Sequence, residues 1–242
     1  MNTLLITATI KPLVNVKHCD PEVRKSEYMR NLERYICNTL FDRIIFAENS
    51  GYVVDYTNLQ EMAKAQGKEL IVLDVSRGAD TGTMSSGEAR IMQQALEMCP
   101  FLSDNDDIWK VSGRVYIRNT TPILKRTKKT KGNVFLYSRK YDSFQTWFCR
   151  LNVGDLKRFF LTDAAVQRMR EYCIEYVWMD IWRENLHEIK VRRFPEYPEA
   201  EGINSSGNPY TVAKWKHILR TIMLYCGRFT PKTKRRIDRC TL

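Results

Sequence analysis

"DNDDIWKVSGRVYIRN", residues 104–119, is the stretch on which the reading of this chain turns. Acids at 104, 106 and 107 lead into an apolar segment, 108–117, that carries Lys110 and Arg114 around Ser112 and Gly113. Cations in a buried strand are costly unless an anion pairs with them. The segment therefore asks for a sheet and for an anion at once. Strand alternation puts Lys110, Ser112 and Arg114 on one face, with Trp109, Val111 and Gly113 on the other. Two cations and a hydroxyl facing one way suit a diphosphate, with Arg114 as a two-pronged donor. A solvated face on an edge strand is the plainer alternative.

Working outward, three β-rich runs precede it: "TLLITATI" (3–10), "DRIIFAENSG" (42–51) and "LIVLDVS" (70–76). Helical patterns separate them. "DPEVRKSEYMRNLERYICNTL" (20–40) opens with an Asp cap and Pro at the first helical position, then places apolar residues at helical spacing. "NLQEMAKAQGKE" (58–69) is a short helix stopped near Gly67, and "EARIMQQALEMC" (88–99) is a third. Strands alternating with helices over the first ~120 residues predict a parallel, doubly wound sheet covered by helices. Ligands of such sheets sit outside the carboxyl ends of the strands. The polar punctuation falls there: Thr7 and Thr9, then Glu48, Asn49 and Ser50, then a Gly-rich loop reaching Gly87, then Ser112, Gly113 and Arg114.

The second half reads differently. "NVFLYSRK" (133–140) and "SFQTWFCRLN" (143–152) suggest a hairpin, 155–188 helices with an aromatic, Met-rich face, and 211–229 a basic amphipathic helix. Without repeat or low-complexity linker, the 242 residues are expected to form one domain. Residues 1–120 would be its nucleotide-binding half and 121–242 its acceptor-side half.

Composition narrows the classes. Hydrophobic residues make 43% and charged ones 28%, as in ordinary globular proteins. No apolar run reaches the roughly 18–20 residues that span a bilayer, and the N-terminus lacks signal-peptide features. A cytoplasmic protein is expected. Seven scattered cysteines without CxxC or zinc-finger spacing suggest reduced core thiols rather than a metal site. The net charge of +11 is concentrated: eight Lys or Arg and no acid over 118–140, and nine against Asp238 from 214 onward. Such patches suit nucleic acid, an anionic membrane, or phosphorylated small molecules.

The passage "GTMSSGEARIMQQAL" offers a helix N-terminus to an anion, but it is neither a Walker A loop nor a GxGxxG fingerprint. By composition it reads as a capped surface loop. The acids of "SDNDD" (103–107) precede their strand, so they fall on the edge away from the crevice and read as a solvated turn. No metal ligand set is expected. For a general base, Glu175 and Asp180 lie in the apolar helix "CIEYVWMDIW", where burial raises a carboxyl pKa; Glu88 is the rival from the first half. Nucleophilic hydrolysis has no GxSxG or Cys signature, and His18, His187 and His217 lack a companion pattern.

"ITAT" (6–9), "ENSGY" (48–52), "GEARIMQQAL" (87–96) and "KVSGRVYIRN" (110–119) together resemble a family of small bacterial glycosyltransferases of capsule and O-antigen (lipopolysaccharide) assembly, which carry a K-x-[ST]-G-R-Y motif after a G-x-x-E helix start. Lys110, Ser112, Gly113 and Arg114 match, with Val115-Tyr116 in place of the immediate Tyr. "TGTMSS" replaces a more Gly/Lys-rich loop, and the usual DxD is not apparent. The resemblance implies a GT-A-like, Rossmann-type, mostly parallel sheet flanked by helices, with a helical acceptor-side portion. It also implies sugar transfer from a nucleotide-diphosphate donor to a lipid-linked or growing surface-polysaccharide acceptor.

The expectation is then a metal-independent transferase without cofactor. Thr7, Thr9, Glu48, Asn49 and Ser50 would line the nucleoside pocket. Gly87, Lys110, Ser112, Gly113 and Arg114 would hold the diphosphate, Lys110 and Arg114 also stabilising its departure. Glu175 or Glu88 would act as base if the reaction inverts, and the basic C-terminus would rest on the inner membrane face. A nucleic-acid or other polyanion binder using 125–131 and the tail is the alternative.

Overall fold

In the computed structural model of the chain, residues 1–12, 19–75, 83–203, 209–210 and 214–228 are described. The glycines at 78 and 82, the body of the loop at 204–208 and the basic tail at 232–239 lie outside them.

The first half alternates as expected: β1 (Thr3–Ala8), α1 (Pro21–Asn38), β2 (Arg43–Glu48), α2 (Thr57–Ala65), β3 (Glu69–Asp74), α3 (Met84–Met98) and β4 (Asp107–Ser112). Next come β5 (Val115–Ile117), α4 (Thr120–Thr127), β6 (Asn133–Ser138), β7 (Ser143–Asn152), the single turn α5 (Val153–Asp155), a π-helical turn at Leu156–Phe160, α6 (Asp163–Arg168) and α7 (Ile174–Glu184). The short strands β8 (Val191–Arg192) and β9 (Ala200–Gly202) and the helix α8 (Lys214–Tyr225) complete the described chain.

Seven strands form one sheet in the order β3-β2-β1-β4-β7-β6-β8. β1 pairs in parallel with β2 and β4, and β2 with β3. β7 enters antiparallel to β4 and to β6. This is an α/β fold with a mostly parallel central sheet flanked by helices. Strands from residues 1–120 and from residues 121–242 build it together, so the described parts of the two halves share one core.

All six residues of β1 are buried, as a strand covered on both faces requires. Alternation sorts them into two cores: Leu5 packs with Ala89, Met92 and Trp178 beneath α3 and α7, while Leu4 and Ile6 pack with Leu32, Tyr35 and Ile36 of α1. Helix α1 starts where its cap demands, Asp20 accepting from the N–H groups of Glu22 and Val23.

Three expectations are corrected. The run 108–117 is not one strand. β4 stops at Ser112, the Gly113 N–H donates to the Thr7 carbonyl at 3.0 Å, and β5 leaves the main sheet to pair with β9. Gly113 is needed at this corner because a Cβ there would stand 2.7 Å from the Tyr28 ring. Second, the helix expected from residue 88 begins a turn earlier, at Met84, capped by Thr83 Oγ1 accepting from the Ser86 N–H. Third, the core-thiol reading holds for Cys99 and Cys149, but Cys19, Cys37, Cys173 and Cys226 are exposed.

β9 is pressed onto that same corner. Gly202 has φ +120°, and any side chain there would run into the Arg114 carbonyl. Tyr210 is tied to the same corner, its N–H donating to the Gly202 carbonyl at 2.9 Å.

Candidate functional site: a polar crevice at the switch between β1 and β4

The chain moves outward from β1 through β2 to β3, and α3 then carries it back past β1 to β4 on the other side, so the strand order reverses between β1 and β4. A crevice outside the carboxyl ends of these two strands is where doubly wound sheets bind ligands. Here Thr7 and Ser112 are register partners on the two strands. Glu88, in the second turn of α3, reaches down between them. Its carboxylate accepts from Thr7 Oγ1 at 3.0 Å and Ser112 Oγ at 3.5 Å, and pairs with Lys110 Nζ at 2.6 Å.

Lys110 is fully buried. An ammonium has three donors, and here they meet Glu88, the Thr146 carbonyl at 2.8 Å and Ser112 Oγ at 3.4 Å. Lys110 thus joins β4, β7 and α3 at one point and sets the height of the Glu88 carboxylate. Thr146 extends the network, its hydroxyl donating to Glu175 at 3.2 Å from the first turn of α7. Burial pushes the Glu175 carboxyl above its ordinary range, and the nearby Glu88 charge adds to this; Lys110 and the Thr146 hydrogen bond oppose it. Two carboxylates therefore share the crevice in unequal states: Glu88 neutralised by a cation, Glu175 held so that it retains a proton more readily.

The crevice gathers residues from four distant segments, as expected for strand ends, but not in one group. Thr7, Ser112, Glu88, Lys110 and Glu175 meet on the α3 and α7 side. Thr9, Glu48, Asn49 and Ser50 meet at the ends of β1 and β2: Thr9 Oγ1 donates to Asn49 Oδ1 at 2.8 Å, and Glu48 accepts from the N–H groups of Ile10 at 2.8 Å and Ser50 at 2.9 Å. Glu48 is thereby committed to holding two loops together.

Arg114 does not share a face with Lys110 and Ser112. Past the end of β4 the alternation no longer applies, and Arg114 turns to the α1 side, where it lies 3.6 Å from Glu27. Arg24 stands close by on that side, donating to the Thr9 carbonyl at 2.8 Å, with the two guanidinium charges within electrostatic reach of each other. Gly87 lies inside α3, and a Cβ on it would meet nothing within 4 Å. Asp180 turns away toward Arg168 and Arg183. Asp104, Asp106 and Asp107 lie at the amino end of β4, the edge opposite the crevice.

Sequence reading missed Thr146, Arg24 and Tyr210. Tyr210 comes within electrostatic reach of Glu88, Glu175 and Arg114, and its hydroxyl is pushed up to about 12, chiefly by burial. The Thr in "SFQTWFCRLN" carried no signal, since a threonine in a strand is ordinary. Among the described residues no three His, Cys, Asp or Glu side chains cluster as a metal would need.

Fold and site define an α/β protein with a doubly wound parallel core and a charged crevice at its switch point. No family model matches the sequence, and no curated protein matches it. Solved structures with a similar course of the chain include galactosyltransferase LgtC in complex with donor and acceptor sugar analogs, at 12% identity and TM-score 0.48 over 79% of this chain and 72% of that one. Others are a glycosyltransferase involved in glycosylating the major capsid of PBCV-1 (11%, TM-score 0.42, 80% and 82%) and the inositol-1-phosphate CTP transferase from T. maritima (12%, TM-score 0.42, 90% and 94%). Identities this low and TM-scores under 0.5 define neither a family nor a residue's role.

Proposed function

We propose that the chain is a glycosyltransferase that moves a sugar from a nucleotide-diphosphate donor to a lipid-linked or growing surface-polysaccharide acceptor without a metal. The observation that carries this reading is the unequal carboxylate pair, Glu88 and Glu175, at the switch point of a doubly wound sheet. An acceptor hydroxyl oxygen attacks the anomeric carbon, the bond from that carbon to the diphosphate oxygen breaks, and its electron pair leaves on the diphosphate. The hydroxyl proton passes to Glu175. Glu88 is held by Lys110 and stays in place as its partner. Arg114, with Arg24 beside it, supplies positive charge for the departing diphosphate. The O-antigen or capsule setting is part of the same proposal and rests on the sequence resemblance.

A melting-temperature panel of UDP-, GDP-, dTDP- and CMP-sugars tests it, each with and without EDTA, on wild type and Arg114→Ala. One nucleotide class should raise the melting temperature by mass action, unchanged by EDTA and diminished in Arg114→Ala. No response to any donor, with a salt-sensitive response to random oligonucleotides, would replace it with the polyanion-binding reading.

Helix α8 supports the membrane part. Trp215, Ile218, Leu219, Ile222 and Tyr225 fall on one outward stripe, Trp215 being 62% exposed, while Leu224 on the opposite side is buried. Nine basic residues against one acid run from 214 to 242. An apolar stripe amid cations suits the surface of an anionic bilayer, and among the described residues no helix is long and apolar enough to cross one. Co-sedimentation should therefore show binding to phosphatidylcholine vesicles containing phosphatidylglycerol and little to phosphatidylcholine alone. Trp215→Asp with Ile222→Asp should weaken it at least about tenfold without altering the melting temperature. Equal binding by that variant would remove α8 from the contact.

A further inference from the structure

β7 runs antiparallel to β4 and overhangs it: the last pair is Val111 with Phe148, and β7 continues back to Ser143. Its overhanging residues line the crevice on both sides. Thr146 faces the carboxylate pair, as described. Trp147, its neighbour, must face the opposite side of the sheet, and there it belongs to the α1-side core as a half-buried ring.

A shallow cleft open to solvent lies on that side. Three aromatic rings line it: Trp147, Tyr210 and Tyr197. Trp147 and Tyr210 have ring centroids 5.4 Å apart and tilted by 41°, so they form a bent platform rather than a closed stack. Arg118, Glu199, Glu201, His217 and Arg220 give it a polar lining, with Arg118 bridging the two carboxylates at 3.0 Å each. Both carboxylates remain partly exposed, so each keeps lone pairs for a further donor. Tyr210 connects this cleft to the reaction site, since it also feels the charges of Glu88, Glu175 and Arg114.

Resting on the transferase reading, we infer that this cleft binds the acceptor, and that the acceptor is a neutral glycan presenting an apolar pyranose face. Aromatic rings with a polar tip give a flat apolar surface that a ring of C–H groups can cover. The polar lining pairs its charges internally, Glu199 with Arg118 and His217 and Glu201 with Arg118 and Arg34, while Arg220 lies over the Tyr197 ring, so it suits the hydroxyls of a neutral ligand better than a phosphate. The bend over the sheet edge directs such a glycan from Trp147 toward Glu175, so the residue that reacts is the one nearest Tyr210.

Saturation-transfer NMR on the full chain with lactose, cellobiose and chitobiose tests this, each with and without UDP, GDP, dTDP and CMP. At least one disaccharide should receive saturation on its C–H face. Trp147→Ala should weaken its binding about tenfold or more, Trp147→Phe should restore most of it, and the nucleotide response in the melting-temperature panel should be unchanged by either. Loss of the nucleotide response in Trp147→Ala would show a nucleoside pocket and overturn the assignment. No saturation of any disaccharide, with or without nucleotide, would overturn it as well. Disaccharide binding that depends on Trp147 in a chain no nucleotide sugar stabilises would leave the cleft standing and remove the transferase reading.

Discussion

Glu175→Gln is expected to lower transfer activity by about 10²–10⁴-fold while making the folded chain more stable at and above neutral pH. Both effects have one cause. Burial and the Glu88 charge raise the Glu175 pKa above the ordinary 4.5, so the folded state binds this proton more tightly than the unfolded chain does. Stability then falls as pH rises from the ordinary glutamate value through the raised one, because the fold must carry a buried charge that the unfolded chain solvates. Glutamine carries none. The melting temperatures of variant and wild type should coincide below the ordinary glutamate range and separate, variant higher, as pH rises through the folded-state pKa. Wild-type activity should rise over that same window, since a base must be unprotonated, and this limb should vanish in the variant. Glu88→Gln is the contrast, because it removes the partner of Lys110 and should lose stability along with activity. A Glu175→Gln enzyme with a near-normal rate would take the role of base away from this residue.

Lys110→Met should unfold more readily by about 3 kcal/mol, near the lower end for breaking a buried ion pair because Glu88 remains within reach of water. At this chain length that corresponds to a fall of roughly 6–12 °C in melting temperature. Lys110 is fully buried while the Glu88 side chain is 22% exposed. Methionine fills the volume of the lysine stem but leaves Glu88 with only the Thr7 and Ser112 hydroxyls. It also leaves the Thr146 carbonyl with the weak Cys149 thiol in place of the ammonium donor. Adding Glu88→Gln to Lys110→Met should recover part of the loss, since the amide is neutral where the carboxylate was stranded. Denaturant unfolding of all four members of this cycle measures the coupling. A cost below about 1 kcal/mol for Lys110→Met would mean that the pair is far better solvated than its burial implies.

The two residues have different histories in the sequence. Lys110 stood out in "DIWKVSGRV" as a cation where a strand should be buried, and the question it raised was sound: an anion does meet it. That anion is Glu88 of the chain itself. Nothing in the string of residues distinguishes a lysine waiting for a diphosphate from one already paired across a helix crossing, since both look like a charge in an apolar run. Glu175 was legible as a carboxylate among aromatics, whereas its neighbour Thr146 was not, because a threonine in a strand is ordinary.

Local pattern determined a good deal. The alternation of β-rich and helical segments was sufficient for a doubly wound sheet, and residues 133–152 for the hairpin of β6 and β7, because periodicity and turn chemistry are properties of neighbouring residues. The Asp20 cap and Pro21 placed the start of α1 to the residue. What tertiary structure decided was everything that depends on distance in the chain. The break of the fourth strand at Gly113 follows from the Tyr28 ring packed against it, and the turn of Arg114 toward Glu27 follows from that break. The outward apolar stripe of α8 inverts the ordinary rule for an amphipathic helix. An apolar stripe is visible in sequence, but whether it faces a core is set by what the rest of the chain has left uncovered. Sequence names the residues able to meet at the switch point; the crossing of α3 over β1 and β4 decides which of them share a proton, a charge or a face.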